Sequence, residues 1–162
     1  MDWRDIHRML DSGEGECIEF KSEWPSNATE VARVLASFAN TRGGTILFGV
    51  EDDGLPVGIP DPDTIMQRVA GVAQNACNPA LEPSMGATPM GNSATSIVWV
   101  RVDRIADAPC LVESRCYRRV GPTSMPVTGG AAMKQMLRGG AAVLAHERAS
   151  QRTAIPPLPQ PK

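Results

Sequence analysis

A single α/β domain, with three to four helices against about five to six strands, is the fold class this sequence predicts. Three observations lead to it. Apolar stripes at helical spacing alternate along the chain with short β-branched runs, the turns between them carry glycine and aspartate, and 162 residues with 42% hydrophobic content suffice for one core but not two. No run approaches the ~18 consecutive apolar residues of a membrane span. The segment MDWRDIHRML is too charged for a secretory signal. A cytoplasmic protein with no membrane partner is the expectation.

Asp2 caps a first helix in which Trp3, Ile6, Met9 and Leu10 recur at helical spacing, with Asp5 at the capping-box position. Ser12 and Gly13 end it. Cys17 to Lys21 alternates as a strand, Ile18 and Phe20 on one face and Cys17, Glu19 and Lys21 on the other. Pro25 and Ser26 open a second helix striped by Val31, Val34, Leu35, Phe38 and Ala39, which Asn40, Gly43 and Gly44 stop. Thr45 to Val50 is a strand, Asp52-Asp53-Gly54 a turn and Leu55 to Ile59 a returning strand, so a hairpin is predicted here. Asp61 or Asp63 caps a third helix through Ile65, Met66, Val69, Val72 and Ala73, closed before Pro79. Residues 79 to 96, rich in Pro, Gly, Ser and Asn, read as an irregular or weakly stranded crossing, and Ser96 to Val102 and Arg115 to Val120 as strands. The domain is expected to span residues 1–128, with a C-terminal helical segment over 129–149 that Thr128 caps. Residues 150–162, with TAIPPLPQPK, read as an extended tail, or as a docking peptide for an aromatic groove on a partner.

Four cysteines, Cys17, Cys77, Cys110 and Cys116, form no CxxC pair, and the two histidines, His7 and His146, lie near opposite ends. Neither a zinc site nor a disulfide framework is expected, and the cysteines read as mostly buried small apolar residues. Charge is segregated: residues 1–63 hold 13 acidic and 5 basic side chains, residues 64–162 hold 5 acidic and 11 basic. That division suits a carboxylate cluster beside a polyanion track, and equally suits two solvated faces.

The carboxylates Glu14, Glu19 and Asp52 can meet if the strands at Cys17 to Lys21 and Thr45 to Val50 are neighbours. Gly13 and Gly15 let the chain bend before its strand, so Glu14 can fold back toward the face that displays Glu19. Three carboxylates together repel, and Mg²⁺ or Mn²⁺, which prefer oxygen ligands, would resolve this while leaving positions for water and phosphate. Lys21, on the Glu19 face, is placed to touch a phosphate. The plainer alternative is that Glu14 and Glu19 pair with Lys21 or arginines while Asp52 and Asp53 shape a turn. Glu16, Glu23, Glu51 and Asp53 read as the solvated remainder.

The order GE-x4-EFK, SFANTRGG, FGVEDDGLPVG and YRRVG resembles the Schlafen-type AlbA domain from Gly13 to about Met125. The resemblance implies an α/β (α+β) fold with a mixed or antiparallel sheet, and nucleic-acid binding. In the animal Schlafen proteins a metal-dependent RNase centre acts on tRNA-like substrates, and its three acidic positions fall on Glu14, Glu19 and Asp52. The resemblance thus favours RNA over DNA and endoribonuclease action. Those enzymes build their groove from two such lobes, whereas this sequence has one, which implies a homodimer or another partner. Many bacterial relatives carry a winged helix, for which too little sequence remains after Thr128.

Arg115, Tyr117, Arg118 and Arg119 are the candidate nucleic-acid contacts: arginines along a strand can track phosphates and Tyr117 offers a stacking surface. The alternative is an edge strand kept soluble by arginine. With one tyrosine and three phenylalanines in the chain, backbone and shape recognition is favoured over base readout. No GxxxxGK[ST] is present, so no ATP site is expected. A non-catalytic nucleic-acid-binding or interaction module is the alternative function.

Overall fold

The computed structural model describes residues 1–106, 109–130 and 134. Three helices, α1 (Trp3–Ser12), α2 (Thr29–Asn40) and α3 (Pro62–Asn75), combine with seven strands. The strands are β1 (Ile18–Lys21), β2 (Gly44–Phe48), β3 (Ser84–Pro89), β4 (Ser96–Val102), β5 (Leu111–Val112), β6 (Arg115–Val120) and β7 (Thr123–Pro126). The first four make a sheet in the order β1-β2-β4-β3, and the last three a separate sheet in the order β5-β6-β7. Because β1 and β2 run parallel while the remaining pairs are antiparallel, the larger sheet is mixed. No described helix is long and apolar enough to cross a membrane.

Period-two alternation assigns the faces of the larger sheet. Ile46 and Phe48 of β2, with Val98, Val100 and Val102 of β4, pack into the cluster that contains α2 and α3. Leu47, Ile97 and Phe20 point the other way, against Ile6, Met9 and Leu10 of α1. Asp2 and Asp5 form the predicted capping box on α1. Helix α2 carries more than an apolar stripe: every residue from Val34 to Asn40 is buried, since the larger sheet lies on one side and β5, β6 and β7 on the other.

Asn40 pins the small sheet to this helix. Its side-chain nitrogen donates to the carbonyls of Cys110 (2.9 Å) and Tyr117 (2.8 Å), while its Oδ1 accepts from the Cys110 amide at 2.7 Å. Gly43, at φ +74°, turns the chain into β2, and a Cβ there would meet the Val102 carbonyl oxygen at 2.7 Å.

One prediction is corrected. Leu55 to Ile59 is not a hairpin strand: β1 and β4 already occupy both edges of β2, and the return is limited to single bridges, Val50 with Pro56 and Ile59 with Ser96. Residues 84–89, inside the crossing read as irregular or weakly stranded, form the strand β3, fully paired to β4. There Gly86 makes room for the indole of Trp99, which a Cβ would meet at 2.6 Å. The short strands β5 and β7 had no sequence counterpart. Cys77, Cys110 and Cys116 are buried as expected, whereas Cys17 is exposed. Most of the helical segment expected over 129–149, and the whole tail at 150–162, lie outside the described residues.

Replacing Asn40 by Ala would strand the three backbone groups it satisfies. Urea denaturation should show a loss of about 2–4 kcal/mol.

Candidate functional site

The site is built on the free edge of β1. Thr45 N–H donates to the Cys17 carbonyl and Gly49 N–H to that of Lys21, so these groups face β2. By alternation, the backbone groups of Ile18 and Phe20 face outward, where an edge strand would leave them unpaired. Two charged side chains take them up. Glu14 Oε1 accepts from the Phe20 amide at 2.9 Å, and Arg119 Nη2 donates to the Ile18 carbonyl at 3.2 Å.

Glu14 reaches that position by the predicted fold-back. Gly13, at φ +75°, ends α1, and Gly15 N–H donates to the Ile18 carbonyl at 2.9 Å, curling the loop against its own strand. Partial burial raises the proton affinity of the Glu14 carboxyl. The Phe20 amide opposes this, the negative charges of Glu19 and Asp52 reinforce it, and Arg119 opposes it again. The three carboxylates therefore share one electrostatic neighbourhood, with Asp52 exposed in the turn that follows β2.

Glu19 is fully engaged. Its Oε2 accepts from Arg119 Nη2 at 2.5 Å, and its Oε1 lies 3.3 Å from the Lys21 ammonium. Lys21 also bonds Glu30, in the first turn of α2. Burial works against the ammonium's charge, but Glu30 and Glu19 outweigh it and hold its pKa above the ordinary lysine value. The plainer sequence reading thus describes Glu19, which does pair with Lys21 and an arginine. Among the described residues, no three or more Asp, Glu, His or Cys side chains are already arranged to hold a metal ion.

Arg119 is the hub of the network. Its side chain is 1% exposed. Besides Glu19 and Ile18 it donates to the Gly15 carbonyl (3.0 Å) and Ser124 Oγ (3.1 Å), and its guanidinium lies 5.0 Å from the centre of the Phe38 ring. Its amide donates to Thr41 Oγ1. One side chain therefore ties the Glu14 loop, β1, α2 and β7 together.

The four predicted nucleic-acid contacts are divided by the packing of β6 on α2. Arg115 and Arg118 face solvent. Tyr117 and Arg119 face inward and are buried, with Arg33 of α2 5.6 Å from the tyrosine ring centre. Glu30, Thr41 and Phe38 were missed in the sequence, because each joins the network across a chain separation that no local pattern reports.

A family model described as Schlafen, AlbA_2 matches residues 14–128, well over half of the chain. The chain belongs to that family. Glu14 opens the matched region, and Glu19, Asp52 and Arg119 all lie within it, so the Schlafen AlbA_2 match covers the whole edge network. Among the solved structures that resemble it are the two that follow. One is the N-terminal domain of the "Putative ATP-dependent DNA Helicase RecG-related Protein" of Nitrosomonas europaea, with 27% identity, a TM-score of 0.57, and coverage of 77% of this chain and 92% of that one. The other is the DIP2311 protein of Corynebacterium diphtheriae, at 21% identity and a TM-score of 0.52, which matches 76% of this chain but only 29% of that one and shows the fold alone. No curated protein matches the sequence.

Arg119→Met removes one partner of a buried ion pair and the guanidinium donor to the Gly15 carbonyl, and leaves the Ile18 carbonyl only the Gly15 amide. Chemical denaturation should show a loss of about 3–5 kcal/mol, and the double variant Arg119→Met with Glu19→Gln should lose less than the single change.

Proposed function

We propose that this Schlafen AlbA_2 domain binds nucleic acid and acts as a Mg²⁺- or Mn²⁺-dependent endoribonuclease on structured RNA such as tRNA, with RNA preferred over DNA. The observation that supports the reading is the place of Glu14 at the β1 edge, where burial first, and then the negative charges of Glu19 and Asp52, raise the proton affinity of its carboxyl. A site that favours added positive charge is one that a cation would stabilise.

The donor types suit a hard divalent ion, being all oxygen and drawn from two segments, but the described residues are not arranged as a metal site, so Glu14 and Asp52 would have to close on Glu19 for an ion to be held. Glu14, Glu19 and Asp52 would hold the ion, which when bound would orient a phosphodiester and neutralise charge on the leaving oxygen. The residues themselves divide the remaining work. Lys21, kept charged by its acidic neighbours, would donate to a phosphate oxygen. Arg119 would keep Glu19 and the Glu14 loop in register. The exposed Arg115 and Arg118 would track the backbone, and a second copy of the chain would supply the other wall of the groove. The helicase-related name of one structural neighbour supports the broader nucleic-acid role.

A second reading, a non-catalytic binding module, is favoured by the complete engagement of Glu19 with Arg119 and Lys21. Asp52→Asn separates the two, because Asp52 is exposed and outside the Arg119 network, so the fold should be unaffected. Incubation with tRNA, and separately with single- and double-stranded DNA, should give scission of tRNA with Mn²⁺ and none with chelator. Asp52→Asn should reduce that scission about a hundredfold or more. Salt-sensitive retention without scission, unchanged in Asp52→Asn but weakened by Arg115→Ala with Arg118→Ala, would establish the binding module instead.

A further inference from the structure

Helix α1 covers only part of its face of the larger sheet. Along β4 the three side chains on that face, Ile97, Trp99 and Arg101, go from buried through half-buried to exposed, so the sheet runs out from under the helix toward Arg101. The uncovered part is a groove of about 760 Å³, whose walls include Arg8 and Met9 of α1, Ser84 of β3, and Trp99 and Arg101 of β4. A smaller hollow of about 290 Å³ shares Met9, Arg101 and Asp103 with it and carries on to Arg42, Cys17 and Ile18. Together they trace a path from the β3 side of the sheet to the start of β1, the strand that bears Glu19.

Trp99 is placed as a platform as well as a packing residue. Its indole lies over Gly86, its cross-strand partner on β3, where a Cβ would meet ring atoms at 2.6 to 3.1 Å, and the ring also borders the groove. The indole N–H of Trp3 is used, donating to the Pro89 carbonyl at 2.7 Å, whereas among the described residues no acceptor takes that of Trp99. Arg8 is exposed on α1. Arg101 lies 3.5 Å from Asp103 and Arg42 lies 3.4 Å from Glu16, and both arginine side chains are well exposed. Exposed pairs of this kind are worth about 1 kcal/mol or less, so a phosphate can replace either carboxylate. Asp5, the other acid of the groove, is committed to the capping box with Asp2.

We infer that this groove binds a single-stranded segment of nucleic acid, with one base stacked on Trp99, the flanking phosphates on Arg8 and Arg101, and Arg42 receiving the strand where it reaches β1. The inference deepens the nucleic-acid reading proposed above and rests on it, but it needs neither a metal ion nor scission. An indole offers a stacking face to any base, and arginines spaced along one groove neutralise successive phosphates, so the recognition is of backbone and ring rather than of sequence. The Trp99 N–H adds a donor for a phosphate or sugar oxygen. This groove lies on the α1 face of the larger sheet, whereas Arg115 and Arg118 belong to the small sheet that packs on α2, on the other face. The two surfaces are therefore separable by mutation.

The test is fluorescence anisotropy of a short fluorescein-labelled oligoadenylate titrated with the full chain, over a series of salt concentrations and with chelator present. Arg8→Ala with Arg101→Ala changes two exposed side chains and should fold as the wild type does. It should weaken binding about tenfold at low salt and lower the slope of log Kd against log salt by about 1.4, as loss of two phosphate contacts on a single strand requires. Trp99→Leu should weaken binding about tenfold with the slope unchanged, whereas Trp99→Phe, which keeps an aromatic ring, should lose no more than about threefold. Equal losses in Trp99→Leu and Trp99→Phe would overturn the stacking role. Oligoadenylate binding that ignores all these changes and is lost in Arg115→Ala with Arg118→Ala would overturn the groove and leave the nucleic-acid reading standing. So would retention of tRNA or duplex DNA without any binding of the oligoadenylate. Failure to bind any of the three would overturn the nucleic-acid reading, and this inference with it.

Discussion

The buried pair between Arg119 and Glu19 is the constraint on which the rest of this domain depends. A guanidinium removed from water needs partners for all its donors, and here they come from the Glu14 loop, β1 and β7, with the Phe38 ring beneath it. Strand β1 would otherwise end the larger sheet with an open row of backbone groups. Arg119 and Glu14 close that row, the guanidinium donating to the Ile18 carbonyl and the carboxylate accepting from the Phe20 amide. The small sheet is thereby fixed to the edge of the large one by a charged contact, while Asn40 fixes it to α2 by a neutral one.

This arrangement explains why acidic side chains gather where they do. Glu14 is held beside β1 because the edge amide of Phe20 needs an acceptor, and Glu19 is held because Arg119 needs a counter-charge. Structural demands therefore concentrate two carboxylates at one rim of the sheet, and the turn after β2 adds Asp52 without any such demand. The two structurally committed acids and the one uncommitted acid together make a place where positive charge is favoured. Lys21 answers part of that demand and Glu30 shares it.

Much of this was legible in the chain. The capping box of Asp2 and Asp5, the alternation of Ile18 and Phe20 against Glu19 and Lys21, and the bend at Gly13 and Gly15 are local patterns, and local patterns survive folding. The predicted hairpin failed because the pairing capacity of β2 was taken by β1 and by β4, some fifty residues away, which a turn signature cannot report. Strand β3 was hidden by its Pro, Gly and Ser composition, since its regularity comes from β4 and from the fit of Trp99 over Gly86. Arg119 and Tyr117 were read as outward because arginine usually is, yet β6 lies on α2 and its inner face takes both. The family resemblance named Glu14, Glu19 and Asp52 as candidates, whereas the partners of those acids emerged only from the folded geometry.

Crystals soaked in Mn²⁺ and measured at the manganese absorption edge test the central claim most directly, because anomalous scattering locates the ion independently of any activity. The account predicts one strong peak at the β1 edge, within coordination distance of Glu14, Glu19 and Asp52, with Arg119 still on the other Glu19 oxygen. No peak there, or a peak at an unrelated carboxylate while Lys21 remains on Glu19, would contradict it.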